Sequence, residues 1–302
     1  QELKTKISKA FSSFEKEPLA AASLGQVHRA TLHDGREVVV KIQRPGIQKQ
    51  IQEDFEALAE IARLLERHTD FGRRYQLGKV LEEFATTIAH ELDYRREASN
   101  LSTVGENMRE FPRLRIPRPV DDYTTHKILT MDYVEGTKIT ALSPLTRLDI
   151  EGNVLAEEVF RAYLKQVLID GTFHADPHPG NVFLTSDNCV ALLDLGMVGH
   201  TTPALQEHIL KLLLAVSEGD SDTAADVAIR VSSTTENFDE NQFRHKLGQL
   251  VAQQQNSKLH EIDLGHTLLE LTRSAGDTGL YVPIELTLLG KTLLQLDEIG
   301  QI

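Results

Sequence analysis

One stretch limits the fold more than any other part of the chain: residues 173–196, which read FHADPHPGNVFLTSDNCVALLDLG. Two histidines, an aspartate and an asparagine crowd together, and an apolar run then separates them from a second aspartate. The VFL and VALLDL runs predict two short strands, and the TSDN letters between them predict a turn. We therefore expect a polar loop that leads into a β-hairpin, with Asp194 at the end of its second strand.

The polar groups of this stretch follow the order H-x-D-x-x-x-x-N and then D-x-G, with Asp176, Asn181 and Asp194 as its chemically active members. In phosphoryl transfer one aspartate orients or deprotonates the acceptor, while an asparagine and a second aspartate hold Mg²⁺ against the nucleotide phosphates. Hard oxygen ligands suit that ion. The order predicts a catalytic role for Asp176 and metal binding by Asn181 and Asp194.

Two other interpretations of the same loop stay open. His174, Asp176 and His178 stand at alternating positions and have the chemistry to ligate Zn²⁺, with Asp194 as the one further local ligand. Prolines on both sides of His178 restrict the backbone there, which disfavours this arrangement. In the other interpretation, the histidines are incidental members of a turn-rich loop.

A lysine and a helical glutamate upstream fit phosphoryl transfer. Lys41 ends the run VVVK, which predicts a buried strand from whose end an ammonium reaches phosphates. HELDYRREA offers Glu91, Asp93 and Glu97, and Glu97 is the predicted ion-pair partner of Lys41. Taken alone, these features are also typical of an exposed lysine and of a solvated, charged helix face. Only the downstream loop favours the functional interpretation.

The pattern before this helix predicts a mixed β/α part. A lysine-rich opening helix precedes the alternating run GQVHRATL, a turn signal at Asp34 and Gly35, and the valine-rich strand, so a hairpin is predicted. Apolar residues at helical spacing then predict two long helices, over 47–68 and 77–110. HKILTMDYVEG predicts a further strand and a turn near Gly136.

After about residue 143, the pattern is mostly helical outside 172–200, with one helix predicted over 154–170. The apolar residues of the last segment, from Ile284 to Leu296, are predicted to form core rather than a lipid-binding face. We place the domain boundary near Gly136.

Composition narrows the functional classes. The 302 residues carry a formal net charge of −13, which argues against binding to nucleic acid. The single cysteine, Cys189, excludes a disulfide framework and a multi-cysteine zinc site. No apolar run approaches the roughly 20 residues that span a bilayer. Because the sequence begins with neither Met nor a signal peptide, we expect a piece of a longer protein, with any membrane segment outside it.

Six segments in order resemble the UbiB (aarF domain-containing, ADCK-type) atypical kinases, over nearly the whole chain. These are PLAAASLGQVHRA, VVVKIQRPG, ELDYRREA, MDYVEG, DGTFHADPHPGNVFL and LLDLGMVG. The resemblance implies an α+β, protein-kinase-like bilobal fold, with a small mixed β/α N-lobe over 1–136 and a larger, mostly helical C-lobe over 137–302. It also implies Mg²⁺-dependent binding of ATP or ADP and support of isoprenoid-quinone (ubiquinone-type) biosynthesis at a membrane.

The resemblance gives each site residue a role. Lys41 matches the phosphate-binding lysine, Glu97 its helix partner and Asp176 the catalytic-loop aspartate. Asn181 and Asp194 match the magnesium ligands. The other matches are an acidic family motif, the nucleotide loop, and the hinge strand that binds adenine: Glu91 and Asp93; Ala20, Ala21, Ala22 and Ser23; Met131, Asp132, Tyr133 and Val134.

Departures from ordinary protein kinases bear on activity. Where those have a glycine-rich loop, this chain has AAASLG; alanine carries a Cβ and avoids positive φ, so the loop should be stiffer. The alternative that the alanines begin a helix stays open. Only MVGHTTP follows Gly196 before the next helical pattern, and no A-P-E signature follows, which favours a small molecule, a lipid or water over a protein as acceptor.

The family's upstream K-x-G-Q motif is not identified in this chain, and we expect it to lie before residue 1. Three functional hypotheses remain: a magnesium-dependent ATPase or kinase, a nucleotide-gated scaffold for lipid-biosynthetic enzymes, and a small-molecule phosphotransferase similar to aminoglycoside or choline kinases. The partners implied are an adenine nucleotide and an isoprenoid lipid or lipid-biosynthetic enzymes. The implied location is the bacterial cytoplasm or an organelle interior, with membrane association through segments outside this chain.

Overall fold

The structure, a computed structural model, describes residues 2–21, 24–69, 77–143, 151–255 and 264–301. The chain divides into two compact units. The first comprises Gln1–Thr103 and Pro117–Val134, and the second comprises Val104–Ile116 and Glu135–Ile302. Residues 104–116, which lie on the N-lobe side of the boundary expected from sequence, thus belong to the second unit.

The strands of the described residues are, in chain order, β1 (Phe11–Phe14), β2 (Ala20–Ala21), β3 (Gly25–Leu32), β4 (Glu37–Gln43), β5 (Leu114–Arg115), β6 (Ile128–Asp132), β7 (Gly136–Lys138), β8 (Thr172–His174), β9 (Val182–Thr185), β10 (Val190–Leu192), β11 (Val198–His200), β12 (Ser233–Thr234) and β13 (Leu280–Tyr281). The α-helices are α1 (Ile7–Ala10), α2 (Ile47–His68), α3 (Leu77–Glu91), α4 (Tyr94–Asn107), α5 (Gly152–Lys165), α6 (Pro203–Glu218), α7 (Ser221–Val231), α8 (Glu240–Gln255), α9 (Leu264–Thr278) and α10 (Ile284–Gln301).

An antiparallel sheet in the order β1-β3-β4-β6, with β2 also paired to β3, forms the centre of the first unit. The predicted hairpin is confirmed: Gly35 has φ +88° in the turn between β3 and β4, a conformation that glycine adopts without strain. Along β4, Val38 and Val40 are buried on one face of the sheet with Phe11. Because side chains alternate along a strand, Lys41 points to the opposite face.

Two helix predictions for the first unit need correction. The opening helix is wrong beyond α1, because Phe11 is buried and starts a strand that pairs with β3. The single helix predicted over 77–110 is two helices that break at Leu92 and Asp93. The Leu92 carbonyl accepts from the Gln43 side chain, and the Asp93 carboxylate accepts from the Arg95 N–H at 3.1 Å, which caps α4.

The second unit is mostly helical, with a small sheet in the order β5-β10-β9-β7. The predicted hairpin is confirmed as β9 and β10, although its second strand ends at Leu192. The helix predicted over 154–170 is α5 followed by one π-helical turn, Gln166–Asp170. The last helix packs core residues as predicted at Leu286, Leu289, Leu293 and Leu296, which are buried. The prediction is wrong at Ile284, which begins the helix and is 69% exposed.

Among the residues that the structure describes, no helix has both the length and the apolar character needed to cross a bilayer.

Candidate functional site

Lys41 and Glu97 form an ion pair inside the first unit. The Lys41 Nζ lies 3.0 Å from Oε1 and 2.9 Å from Oε2 of Glu97, so both carboxylate oxygens bind the ammonium. The Glu97 side chain is only 5% exposed and the Lys41 side chain 22%. Because a buried carboxylate needs a counter-charge, Glu97 holds Lys41 in one position while part of the ammonium faces solvent.

Strand and helix geometry explain this pairing. Lys41 stands in the interior of β4, where it pairs with Val27 on one side and Leu129 on the other. Glu97 lies in the first turn of α4, and the ring of Tyr94 from the same turn lies 5.1 Å from the Lys41 Nζ. That distance fits a cation–π contact, which adds to the ion pair.

The predicted nucleotide loop is described only in part. Ala20 and Ala21 form β2 and pair with Val27 and Gln26, so the alternative of a helix beginning at these alanines is wrong. Ala22 and Ser23 lie outside the described residues.

Gly25, which ends the predicted loop, packs closely against its neighbours. A Cβ added there would lie 2.5 Å from the Ile42 carbonyl oxygen and 2.9 Å from the Tyr94 hydroxyl. The backbone at Gly25 therefore requires glycine for close approach, independently of any ligand.

The predicted hinge spans a strand end. Met131 and Asp132 belong to β6, whereas Tyr133 and Val134 follow it, so the hinge strand is shorter than predicted. The Asp132 carboxylate lies 3.6 Å from the Arg36 guanidinium. The Tyr133 N–H donates to the Glu37 carbonyl at 3.1 Å.

A charged side chain also packs on the aromatic ring of Tyr133. The Arg29 guanidinium lies 4.3 Å from the Tyr133 ring centroid and donates to Glu37 at 2.7 Å. The hydrogen bond to Glu37 raises the pKa of Arg29. The Asp132 and Tyr133 side chains are thus both in contact with arginines of the same unit.

The acidic family motif flanks the helix break in the first unit. Glu91 is the last residue of α3, and Asp93 caps α4. Their sequence spacing of two residues therefore reflects a turn between two helices rather than one continuous helical face.

In the second unit, Asp176 and Asn181 lie on one short loop between β8 and β9. The His178 Nδ1 accepts from the Gly180 N–H at 3.0 Å, and the Asn181 N–H donates to the His178 carbonyl at 2.8 Å. These bonds form a 3₁₀ turn, Pro179–Asn181, with proline at its start. His178 thus acts as a local cap.

Asn181 and Asp194 are brought together by the hairpin. The N–H of Leu193 donates to the Asn181 carbonyl at 3.1 Å, which places the backbone of Asn181 beside the residue that precedes Asp194. Asp194 Oδ1 accepts from the Gly196 N–H at 3.0 Å, and a carboxylate has lone pairs for several partners. An amide oxygen and a carboxylate fit Mg²⁺, which completes its shell with phosphate and water oxygens.

Asp176 is held by the last helix of the same unit. Lys291 Nζ lies 2.8 Å and Gln295 Nε2 2.7 Å from Asp176 Oδ1. Thr292 Oγ1 donates to the Ala175 carbonyl at 3.2 Å. Burial raises the pKa of Asp176, but the hydrogen bonds from Lys291 and Gln295 outweigh it, and the pKa is lowered overall. None of these three side chains was found from the sequence.

The zinc interpretation is not supported. His174 is buried. Its backbone N–H donates to the Gln166 side chain at 3.0 Å, and its ring Nδ1 lies 3.4 Å from the Met197 carbonyl oxygen. Burial lowers the pKa of His174, which favours a neutral ring. No group of three or more His, Cys, Asp or Glu side chains within the described ranges could hold a metal ion. His174 is a core residue.

The π-helical turn after α5 supports this loop and was also missed from sequence. It directs Gln166 inward, where the buried amide oxygen accepts from the backbone of β8 just before Asp176. Such single turns often occur near functional sites. Gly171, with φ +71°, ends the turn.

The segment after Gly196 is short, as predicted. Val198 in β11 pairs with His174 in β8, and α6 begins at Pro203 with the Thr202 hydroxyl as its cap. This segment is bound to its neighbours along its length and contains no extended peptide-binding stretch.

The letters K-L-G-Q do occur later in the chain, at Lys246–Gln249 in α8, which sequence reasoning missed. Lys246 Nζ lies 3.2 Å from Asp277 Oδ2, and Leu247 is fully buried. This tetrapeptide therefore packs the helices of the second unit, and its position differs from that of the family motif.

Comparisons with known proteins agree on one family. Residues 1–228 match the family described as the ABC1 atypical kinase-like domain. The chain is 34% identical over 305 residues to a probable protein kinase UbiB of Azotobacter vinelandii, covering 100% of this chain and 57% of the relative. It is 40% identical over 220 residues to the chloroplastic protein Activity of bc1 complex kinase 7 of Arabidopsis thaliana, covering 73% and 32%.

A solved structure is also similar to this chain over most of the length of both. This is the complex of Rv3197 with erythromycin from Mycobacterium tuberculosis, at 26% identity and a TM-score of 0.69, covering 98% of this chain and 77% of that one. The chain spans about half the length of the UbiB relatives that it matches.

Proposed function

The chain belongs to the ABC1, or UbiB-type, family of atypical kinases and has its α+β, kinase-like fold, and from that premise we propose that it binds ATP or ADP with Mg²⁺ and transfers or hydrolyses the terminal phosphoryl group. Lys41 binds phosphates, Asn181 and Asp194 hold the ion, and Asp176 orients the acceptor. In the reaction with ATP, the bond between the γ-phosphorus and the bridging oxygen breaks and ADP leaves with that oxygen. The acceptor oxygen, oriented by Asp176, bonds to phosphorus, and the acceptor proton passes to the transferred phosphoryl group or to solvent.

The ion pair of Lys41 with Glu97 is the observation that carries this proposal. A lysine on a central strand, held through both oxygens of a buried helical glutamate, is what kinase-type phosphate binding requires. An ordinary surface lysine pairs with an exposed carboxylate, as Lys211 does with Glu207. The buried partner indicates selection for a fixed ammonium.

We propose a small molecule, a lipid or water as the acceptor rather than a protein. The short segment from Gly196 to Pro203 supports this, since it is bound to β8 and α6 and offers no extended stretch for a peptide. By analogy with its UbiB relatives, the complete protein is proposed to support isoprenoid-quinone biosynthesis at a membrane, with a lipid or lipid-biosynthetic enzymes as partners.

A second candidate function is a nucleotide-gated scaffold that binds but does not turn over nucleotide. The alanines of β2 favour it, because their Cβ atoms and strand pairing leave less freedom than a glycine-rich loop would. The two functions differ in phosphate release, not in nucleotide binding.

Thermal unfolding with ADP or ATP, with and without Mg²⁺, tests the proposal. Nucleotide at about 100 times its Kd should stabilise the wild type by roughly 2.7 kcal/mol, and Asp194→Asn should lose the magnesium-dependent part. Asp187→Asn is the matched control, since this exposed carboxylate lies in the turn of the same hairpin. Absence of any shift in the wild type would overturn the proposal.

A further inference from the structure

The last helix, α10, carries three side chains onto the loop of Asp176. Thr292 binds the Ala175 carbonyl, and Lys291 and Gln295 both donate to the same oxygen, Asp176 Oδ1. We propose that Lys291 and Gln295 are positioning residues, which hold Asp176 by Oδ1 so that Oδ2 accepts the hydrogen bond from the acceptor hydroxyl or water. This inference rests on the proposed phosphoryl transfer.

Helix geometry makes the arrangement precise. Lys291 and Gln295 are four residues apart, so they lie on one face of α10 and reach the loop together. Two donors at 2.8 and 2.7 Å on one oxygen fix the rotation of the carboxylate, and the charged donor gives the stronger bond. Thr292, which is fully buried, donates to the carbonyl of Ala175 and so fixes the backbone one residue before Asp176.

The amide of Gln295 has one orientation that satisfies Asp176. A carboxylate only accepts hydrogen bonds, so the amide must present its NH₂ group there. Its Oε1 is buried and has no hydrogen-bond partner among the described residues. Such an unsatisfied oxygen costs free energy, so the contact with Asp176 is maintained at the expense of stability.

The charges around Asp176 fit orientation better than proton abstraction. The groups that face it are the ammonium of Lys291, the amide of Gln295, the buried ring of His174 and the hydroxyl of Tyr163. With its pKa lowered overall, Asp176 is a weak base at neutral pH. A loose phosphoryl-transfer transition state needs little proton removal beforehand, so an oriented acceptor suffices.

These positioning residues lie beyond the ABC1 domain match but inside the region shared with the Azotobacter vinelandii relative, which covers 100% of this chain. The ABC1 match ends at residue 228, whereas the helix that holds Asp176 spans Ile284–Gln301. The proposed support of Asp176 therefore extends to this helix, far along the chain from the loop.

The first test is phosphate release from Mg²⁺–ATP by the full chain. We expect Lys291→Met to lower kcat about 100-fold, the cost of a misplaced catalytic group, with the KM for ATP nearly unchanged. Gln295→Leu should lower kcat by less, since it removes an uncharged donor. Lys211→Met is the matched control: the Lys211 side chain is 52% exposed against 46% for Lys291, and the variant should behave as the wild type.

A second test does not need turnover. A ¹³C NMR titration of aspartate carboxyls, with Asp176 assigned through Asp176→Asn, should show its pKa rising in Lys291→Met and unchanged in Lys211→Met. An unchanged pKa in Lys291→Met, or an unchanged kcat in an active protein, overturns the inference. A wild type that releases no phosphate contradicts the proposed turnover instead, and the titration still decides whether Lys291 holds Asp176.

Discussion

Each unit of the molecule contains a lysine–carboxylate pair, and the two pairs are built in opposite ways. In the first unit the carboxylate of Glu97 is buried and supports the lysine, with both oxygens engaged by Lys41. In the second, Asp176 is the proposed functional member and Lys291 contacts it through one oxygen, with the Asp176 and Lys291 side chains 36% and 46% exposed. The difference teaches that burial separates the two members of the first pair but not those of the second, where both side chains are partly exposed.

The largest effect should come from the functional carboxylate itself. Asp176→Asn removes the charge that orients the acceptor, so we expect phosphate release to fall about 10³-fold while nucleotide binding, measured by thermal shift, is retained. Asp187→Asn should leave turnover unchanged. Unchanged turnover in Asp176→Asn would break the comparison, because the second pair would then have no functional member.

Removing the buried supporting carboxylate should mainly affect stability. Glu97→Gln leaves the Lys41 ammonium without its counter-charge, and we expect the free energy of unfolding to drop by about 3 kcal/mol, measured by urea denaturation. Glu106→Gln on the same helix is the control, since its pair with Arg109 is exposed and contributes little. Equal effects in the two variants would show that burial does not distinguish the first pair.

The close packing of Gly25 against Tyr94 offers a sharper test of how firmly the Lys41–Glu97 pair is held. Gly25→Ala adds a methyl group against the Ile42 carbonyl and the Tyr94 hydroxyl, so the backbone or Tyr94 must shift. We expect a loss of about 2 kcal/mol in the free energy of unfolding. Gly276→Ala is the control, because an added Cβ meets nothing within 4 Å there. A Gly25→Ala variant as stable as the wild type would mean that Tyr94 and Lys41 are held loosely.

The smallest effect on the free energy of unfolding should come from Lys291, the supporting lysine of the second pair. Asp176 has a folded pKa below its ordinary 3.8, so its stabilising contribution is present above pH 3.8 and is lost as the pH falls through the folded value. Lys291→Met should therefore lower stability by less than about 1 kcal/mol at pH 7, and the difference should disappear in acid. A difference that grows below pH 3.8 would contradict this sign.

Sequence predicted the candidate site residues and the ion-pair partner of Lys41, Glu97, but missed the groups that hold Asp176. Lys41, Asp176 and Asn181 stand in short local motifs whose spacing alone suggests chemistry. Lys291 and Gln295 lie more than a hundred residues from Asp176, on a helix whose letters look like ordinary surface and core. No local pattern predicts such a contact, because it depends on how the helices of the second unit pack. The catalytic and binding roles of all these residues stay predictions.

The errors in the fold have the same origin. The break at Leu92 and Asp93 depends on Gln43, a residue of β4 whose side chain donates a hydrogen bond to the Leu92 carbonyl. The strand Phe11–Phe14 depends on pairing with β3. Helical periodicity continues across the break, so propensity favoured one helix. The β3–β4 hairpin was predicted because its turn chemistry and alternation are both local.

The contact between Asp176 and Gln295 also has a consequence for the newly made chain. These residues are separated by 119 positions, and a ribosome adds about 5 to 20 residues per second, so roughly 6 to 24 seconds pass between their syntheses. During that interval the loop of Asp176 exists without its lysine and amide donors. In a nascent chain the loop of Asp176 would then gain these donors only after α10 has left the exit tunnel.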